Sequence, residues 1–309
     1  MPLTSGNFAD LLKPGLSGLF DDGLAGRPEP MIDMLFKVET STRFEEQYQG
    51  MGSQGIVPVF DGTVAYADFD AGYRTDIRNY ELAKGIQVER RLVDDDMTGQ
   101  IKARAFSMGD SFANTIQTDA ASVFINAFTD SGTNRMGAST NGADGVALLS
   151  AAHPYSPANS STTQSNEGTL ALTIDNLDTT RQAMRNFTDD SGQLLGLNPD
   201  MLLVPPELER TATQLVSERA IYEAGSAQYD VNMFAGRFRP VVWNRLTDAN
   251  AWFLIDSRLM KQHLIWQWRI QPEFSQADDF DGLTAKYRGY MRYGIGWTDW
   301  KWIFGQNPS

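Results

Sequence analysis

The chain has 309 residues, a net charge of −13 and no cysteine. This charge has the wrong sign for binding nucleic acid through its phosphates, and the lack of cysteine excludes disulfides, thiol nucleophiles and cysteine-type zinc sites. The two histidines, His153 and His263, are too few for a histidine-rich metal site, and no apolar run approaches the ~20 residues that span a bilayer.

Residues 1–42 are rich in glycine and proline, and their leucines and phenylalanines follow no regular period. Glycine and proline interrupt helices and strands. The pattern therefore predicts an extended N-terminal arm, which must lie against another surface because free termini fray. The start at Met1 also predicts that no N-terminal segment has been removed.

Residues 43–80 have the pattern of a polar β-hairpin. A run of period two covers Tyr73–Tyr80, and a β-rich run with turn signals covers Ile56–Asp70. The charged side chains of the first run share one face of the strand: Arg74, Asp76 and Arg78. A hairpin alone is marginally stable in water, so we expect this segment to need a neighbouring surface.

Residues 81–171 contain the strongest helical signal. From residue 97 to residue 129, apolar side chains recur at every third or fourth position. Asp94–Asp96 precede this run, where acidic side chains favour the positive end of a helix dipole. At ~1.5 Å per residue the predicted helix is roughly 48 Å long, which is enough to span a subunit.

Residues 172–260 alternate between helix and strand signals. Met201–Val204 is a short apolar strand, and Pro206 falls in the first turn of the following helix, where its missing N–H is tolerated. Phe238–Trp243 and Trp252–Ile255 are predicted to form a hairpin. Together these elements predict a small αβ unit.

Residues 261–309 form the aromatic end of the chain, and all seven tryptophans lie from Trp243 onward. Apolar and polar side chains alternate in two runs, Leu264–Gln271 and Lys286–Thr298. This alternation is typical of half-buried strands. We expect the two strands to pair antiparallel and to lie along the long helix.

Three short motifs are interpreted as structural. Gly50–Gly55 spells GxGxxG, but a β-like run follows where a dinucleotide site needs a helix, so we interpret it as a flexible loop. Asp94–Gly99 resembles the start of a calcium loop, yet Ala105 stands where the bidentate glutamate is required, which favours a helix cap. Asp278–Gly282 also fails the calcium spacing and is interpreted as a solvated turn.

Both histidines are interpreted as structural. His153 titrates in the right range for a general base, but the chain has no GxSxG serine for it to activate. His263 lies in a predicted strand. We therefore predict no catalytic centre, no cofactor and no metal.

The tryptophan-rich strands have two interpretations. They could form a surface on which sugars or bases stack, or they could supply buried contact area in a sheet or at an interface. The negative charge argues against bases. A carbohydrate-binding or carbohydrate-active protein is therefore an alternative, although no pair of carboxylates stands out as catalytic.

The order of these elements resembles that of the major capsid proteins of tailed bacteriophages, the Hong Kong ninety-seven fold. The resemblance extends over residues 37–309. Four segments are also similar to the Mu-like major head subunit branch: Val88–Asp96, Gly142–Tyr155, Leu202–Glu209 and Leu246–Asp256.

The resemblance implies an α+β fold with named parts. Residues 1–42 correspond to the N-terminal arm, 43–80 to the extended loop, and 81–171 to the peripheral domain with its spine helix near 97–129. Residues 172–260 correspond to the axial domain. The strands of residues 261–309 return to the peripheral domain.

The resemblance also implies a function. The chain is expected to assemble into hexamers and pentamers of an icosahedral shell around double-stranded DNA, without sequence-specific binding and without a membrane. It is expected in the virion, after assembly in the host cytoplasm, with portal, scaffolding and cement proteins as partners. An encapsulin-like nanocompartment is the alternative with the same fold.

We place the inter-subunit contacts on the arm and the hairpin, whose apolar surfaces are expected to be buried on other subunits. The candidate contact residues of the hairpin are Tyr73, Arg74, Asp76, Arg78 and Tyr80.

Overall fold

The computed structural model describes residues 6–26, 31–53, 55–60, 62, 64, 66, 71–89, 99–217, 220–222, 229–279 and 284–308. Its helices are α1 (Gly6–Ala25), α2 (Met31–Leu35), α3 (Gln100–Ile125), α4 (Ile174–Arg185), α5 (Glu209–Ser217, after a 3-10 turn at Pro206–Leu208) and α6 (Ser257–His263). Its strands are β1 (Lys37–Thr40), β2 (Glu45–Met51), β3 (Ala71–Arg78), β4 (Tyr80–Glu89), β5 (His153–Pro154), β6 (Thr163–Gln164), β7 (Glu167–Gly168), β8 (Met201–Val204), β9 (Ala220–Tyr222), β10 (Tyr229–Val231), β11 (Arg239–Val242), β12 (Trp252–Ile255), β13 (Leu264–Asp279), β14 (Thr284–Trp297) and β15 (Ile303–Gln306).

The long helix and the long C-terminal strands are confirmed. The strand order of the first sheet is β1-β13-β14-β4, and β13 pairs antiparallel with β14. The helix α3 lies on one face of this sheet and ends at Ile125, within the predicted range of 97–129. Asp94–Asp96 and residues 97–98 lie outside the described residues.

The second sheet corrects one predicted pairing. Its order is β11-β8-β12-β15-β7, so β8 lies between the two strands that were predicted to form a hairpin. Every residue of β8 is buried, as a strand in the centre of a sheet requires. The C-terminal strand β15 pairs with β12, so a boundary at residue 260 does not separate the two sheets.

The N-terminal segment is a helix where an extended arm was predicted. The glycines suggested interruption, but Gly23 of α1 and Gly109 of α3 are points at which the two helices come into close contact. A Cβ added at Gly23 would lie 2.1 Å from the carbonyl oxygen of Phe106, and one at Gly109 would lie 2.0 Å from that of Phe20. Only glycine permits two helix backbones to approach so closely.

Several apolar side chains described in this segment are buried within their own subunit. Leu16 and Phe20 of α1 are 2% and 0% exposed, and Leu35 and Phe36 are also completely buried. The expectation that the arm buries its apolar surface mainly on other subunits is therefore wrong for these residues.

The extended loop is a hairpin at its base only. β2 pairs antiparallel with β3 in a register that sets Glu45 opposite Arg78. In the predicted β-rich run 56–70, the described residues form no strand, and Pro58 among them lacks the N–H that a strand ladder needs. Gly50 is part of β2, and no helix follows Gly55 in the described residues 55–60.

The base of the loop covers the face of the first sheet opposite α3. Ile77 of β3 is 3% exposed, and its carbonyl accepts a hydrogen bond of 2.8 Å from Nε2 of Gln267. The alternation in Leu264–Gln271 predicts that Gln267 lies on the polar side of its strand. It is nevertheless 1% exposed, because β3 lies over it. The base of the loop is therefore anchored by packing on the sheet.

A buried carboxylate joins the long helix to the sheet. Asp119 of α3 is 2% exposed and accepts hydrogen bonds from the hydroxyl of Tyr293 and from the guanidinium of Arg135. Replacing Tyr293 by phenylalanine removes one charge-assisted bond and keeps the ring that stacks on Trp266. We expect a loss of ~1.5–3 kcal/mol in unfolding free energy, measured by urea denaturation.

The matched control is Tyr290→Phe, on the same strand but with its ring on the partly exposed side. It should change stability by less than about 0.5 kcal/mol, as surface substitutions usually do. Equal stabilities of the two variants would show that the Asp119 bond contributes nothing.

Candidate assembly surface

The tip of the extended loop carries exposed apolar side chains. Val59 and Tyr66 are each 94% exposed, and the others range down to 58%. The full set is Met51, Ile56, Val57, Val59, Phe60, Val64 and Tyr66. Several exposed apolar side chains within one short segment indicate an interaction site, because burying each such side chain is favourable by ~1.5–3 kcal/mol.

The charged row of the hairpin, Arg74, Asp76 and Arg78, has partners within its own hairpin. Nε of Arg74 donates to Oδ1 of Asp76 at 2.8 Å. The guanidinium of Arg78 lies 4.5 Å from the centre of the Phe44 ring and 5.4 Å from that of Tyr80. The row is thus ordered within its own hairpin, and its contact with another subunit stays a prediction.

Reversing the charge of Arg74 and Arg78 tests whether this row contacts another subunit. The double variant Arg74→Glu and Arg78→Glu is expected to fold, since both side chains are exposed, and to assemble less well. Exposed pairs are worth ~0–1 kcal/mol each, and salt screens them, so high ionic strength should reduce the defect. Circular dichroism and particle counts over a salt series measure both effects; normal shells at low salt would contradict a role in assembly.

The loop also touches the body of its own subunit. The backbone N–H of Ser53 donates to the carboxylate of Asp190 at 2.9 Å, and the hydroxyl of Ser191 donates to the carbonyl of Ser53 at 3.3 Å. Between loop and body lies a cleft of about 280 Å³ whose lining includes Tyr73 and Trp297. Burial, followed by the charge of the nearby Asp144, raises the pKa of Tyr73.

His153 is a packed residue beneath this cleft. It is 1% exposed, and its ring stacks on Trp300 with centroids 4.2 Å apart. Nδ1 lies 2.6 Å from Oδ2 of Asp144, and Nε2 lies 3.0 Å from Oδ1 of Asn166. Both ring nitrogens are used in holding loops together, which is the structural role predicted. Asp144 and Asn166 come from other loops, and no sequence pattern pointed to them.

His263 is half-buried at the end of α6, rather than in a strand. Nδ1 lies 2.8 Å from Oγ1 of Thr298. Burial lowers the pKa of His263 below its ordinary value of 6.5, with a smaller opposing effect of Asp299. The unfolded chain therefore takes up this proton at a higher pH than the folded chain, so protonation favours unfolding.

This shift predicts a pH dependence of stability. As pH falls through about 6.5, the His263 contribution should lower the unfolding free energy by at most ~1.4 kcal/mol per pH unit. His263→Gln is expected to flatten that part of the profile, measured by urea denaturation between pH 7.5 and 5. An unchanged slope in the variant would show that His263 does not couple to folding.

A family model for phage capsid proteins matches residues 72–305. The chain belongs to the phage capsid protein family. The match begins within β3 and extends through both sheets. No curated protein sequence matches the chain. Its membership of the phage capsid protein family makes it a structural protein of a capsid shell.

Solved capsid structures share the fold of this capsid protein. The bacteriophage JBD30 capsid has a TM-score of 0.56 and 15% identity, over 74% of this chain and 94% of that one. The capsid of cyanophage P-SCSP1u has a TM-score of 0.56 and 14% identity, over 90% and 88%. A virus-like particle from Pyrococcus furiosus has a TM-score of 0.50 and 9% identity, over 95% and 98%.

The tryptophans of the capsid protein belong to its core. Trp243, Trp252, Trp266 and Trp302 are at most 1% exposed, and Trp300 is 6% exposed. Trp268 and Trp297 are half-buried. An open aromatic platform for sugars on these strands is therefore wrong, because the rings pack against the sheet and α3.

Neither a metal cluster nor a membrane-spanning helix is found among the described residues of the capsid protein. Within them no group of three or more His, Cys, Asp or Glu residues is placed to hold a metal ion. None of the helices described combines the length and the hydropathy of a membrane span.

Proposed function

We propose that this capsid protein is the major head subunit of a tailed bacteriophage, which assembles into hexamers and pentamers of an icosahedral shell around double-stranded DNA. The exposed apolar tip of the extended loop carries this proposal. Its described apolar side chains are 58% to 94% exposed in their own subunit, so burial on a neighbour would supply free energy for assembly.

The subunit surface suits a container that holds DNA without binding its sequence. The net charge of −13 disfavours tight contact with phosphates, so packaged DNA is retained by enclosure. We propose no catalytic role for any residue and no cofactor. The virion is the site of action, and assembly takes place in the host cytoplasm.

The partners are proposed on the same basis. Portal and scaffolding proteins are expected because a closed shell needs an opening and a size control. The JBD30 capsid is decorated with minor capsid protein trimers, and a cement protein is proposed here by analogy. The Mu-like branch stays a prediction from the four sequence segments.

Expression of the full chain tests the proposal. We expect megadalton particles by analytical ultracentrifugation and closed shells by electron microscopy. A small oligomer would contradict the shell function and would favour an enzyme or a binding protein.

A nanocompartment shell is the second candidate, because the fold and the exposed tip by themselves do not state what the shell encloses. The two candidates differ in content. Particles isolated from infected cells should contain double-stranded DNA if the chain is a head protein, whereas protein cargo without DNA would favour the nanocompartment.

A further inference from the structure

One residue of the extended loop is bonded to the body of its own subunit through its N–H, its carbonyl and its side chain. The backbone N–H of Ser53 donates to both oxygens of Asp190, at 2.9 and 3.1 Å. Its carbonyl accepts from the hydroxyl of Ser191 at 3.3 Å, and its side chain is hydrogen-bonded with Asp189. We call these contacts of Ser53 with the consecutive residues Asp189–Ser191 the clasp.

The body side of the clasp is a well-braced turn. Oδ1 of Asp189 accepts from the backbone N–H of Ser191 at 3.0 Å and from that of Gln193 at 2.8 Å. Burial alone would raise the pKa of Asp189, but the hydrogen bonds that it accepts outweigh burial and lower that pKa. Phe187, just before the turn, is 4% exposed and packs edge-on against Trp300 with centroids 5.2 Å apart. The turn is therefore fixed to the core independently of the loop.

The loop side of the clasp follows a bulge and ends on a glycine. The register of β2 shifts between Gln49 and Met51, and a bulge bends its strand. The backbone N–H of Gly55 donates to Oγ of Ser53 at 3.2 Å, and its φ of +69° is one that glycine adopts readily. A Cβ added at Gly55 would lie 3.8 Å from that of Ser191. Residues 53 and 55 therefore both lie against the turn.

The exposed apolar residues of the tip begin directly after the clasp. Ile56 follows Gly55 and is 73% exposed, and Val57 and Val59 are 87% and 94% exposed. A contact that inhibited assembly would cover these side chains with the subunit's own body. The closed clasp leaves them in solvent and fixes only the place from which they start, so its geometry favours presentation of the tip over its concealment.

The length of the loop gives such fixation a physical purpose. Residues 52–70 connect β2 with β3, and this connection exceeds the ~12–15 residues beyond which loops are usually functional or disordered. Each residue that becomes ordered on docking costs ~1–2 kcal/mol of conformational entropy. A segment that is already held in its bound arrangement avoids part of this cost, and the apparent affinity falls in proportion to the fraction of molecules in which that arrangement exists.

We propose that the clasp positions the extended loop for assembly, by holding the start of the apolar tip in the arrangement that a second copy of the chain binds. Asp190 and Ser191 are then positioning residues, which act on the neighbouring subunit only through Ser53. The inference rests on the proposed shell function. A second copy is the partner because that function buries the tip on a neighbouring subunit, and the tip is the segment that the clasp presents.

Opening the clasp by substitution is the first test. The double variant Asp190→Ala and Ser191→Ala removes two partners of Ser53 and leaves Asp189, which braces the turn. We expect it to need a subunit concentration about tenfold higher for half-maximal particle yield. Gln193→Ala is the control, because it trims an exposed side chain of the same turn and keeps the backbone N–H that bonds Asp189. Circular dichroism should be unchanged in both. Equal particle yields of the double variant and the control would overturn the proposal.

A covalent clasp is the second test. Gly55→Cys and Ser191→Cys are introduced together with Asp190→Ala, in a chain that has no other cysteine. The Cβ separation of 3.8 Å matches the ~3.8 Å that is usual in a disulfide. Oxidation closes the clasp and reduction opens it, while strain from a side chain at residue 55 is common to both forms. We expect the oxidised form to assemble at about the wild-type concentration, and the reduced form to need about tenfold more.

The outcomes of the second test separate the clasp from the shell function. Equal yields of the oxidised and reduced forms overturn the proposal, and so does an oxidised form that assembles less well than the reduced one, since the closed clasp would then inhibit assembly. Mass spectrometry measures the disulfide, and its failure to form would contradict the closed clasp. Wild-type subunits that form no particles would instead reject the shell function, and the disulfide yield would still show whether the loop lies against the turn.

Discussion

Replacing Gly109 by valine is expected to detach α1 from α3 and to lower the unfolding free energy by about 3 kcal/mol. The added Cβ would lie 2.0 Å from the carbonyl oxygen of Phe20 and 2.9 Å from the backbone nitrogen of Leu24. Both atoms belong to the backbone of a regular helix, so they cannot move unless the whole helix moves. Displacement then exposes Leu16 and Phe20, which are buried in the native contact.

Two measurements check this prediction. Urea denaturation gives the change in stability, and limited proteolysis shows whether residues 6–25 are released. Gly18→Ala is the control, because no atom lies within 4 Å of its added Cβ. Alanine favours a helix by ~0.5–1 kcal/mol over glycine, so the control should be slightly more stable than the wild type. A Gly109→Val variant as stable as the control would contradict the close helix contact.

Changing the tip of the extended loop is expected to abolish assembly without unfolding the subunit. In the double variant Val59→Asp and Phe60→Ser, the replaced side chains are 94% and 71% exposed, so little contact within the chain is lost. If neighbours bury them, each contributes ~1.5–3 kcal/mol to association. Loss of both should reduce particle yield at a fixed subunit concentration by at least about 100-fold.

The controls separate assembly from folding. Thermal unfolding followed by circular dichroism should give the same midpoint for the double variant and the wild type. Val59→Ile keeps an apolar side chain and should retain particles in sedimentation velocity experiments. Full particle yield from the double variant would show that the tip stays in solvent in the shell.

The elements with one buried face were predictable from sequence. The helix α3 and the strands β13 and β14 keep a strict period because one side contacts the core and the other contacts solvent or a polar surface. Of the hairpin, only β3 was predicted from its alternation, whereas its partner β2 lies N-terminal to the run 56–70 that was predicted to be β-rich. The strands that lie beside β11 and β12 were not predictable. A run of apolar residues indicates that a strand is buried, but it does not indicate which strand pairs with it.

The candidate site was only partly predictable. The polar row of Arg74, Asp76 and Arg78 was visible in the alternation, but its pairing within the hairpin depends on Phe44 and on rotamers. The apolar tip was mistaken for strand because Val and Phe favour strands.

The sequence by itself determined which segments are helix or strand wherever a periodic pattern extends over many residues, and it determined the resemblance to a capsid protein. Tertiary structure alone decided that residues 6–25 are helical, that β15 completes the second sheet, and that Gln267 is buried. The physical reason is the same in each case. Neighbouring residues do not determine the conformation or the burial of a glycine, a short apolar strand or an amide. These depend on the distant segment that packs against it.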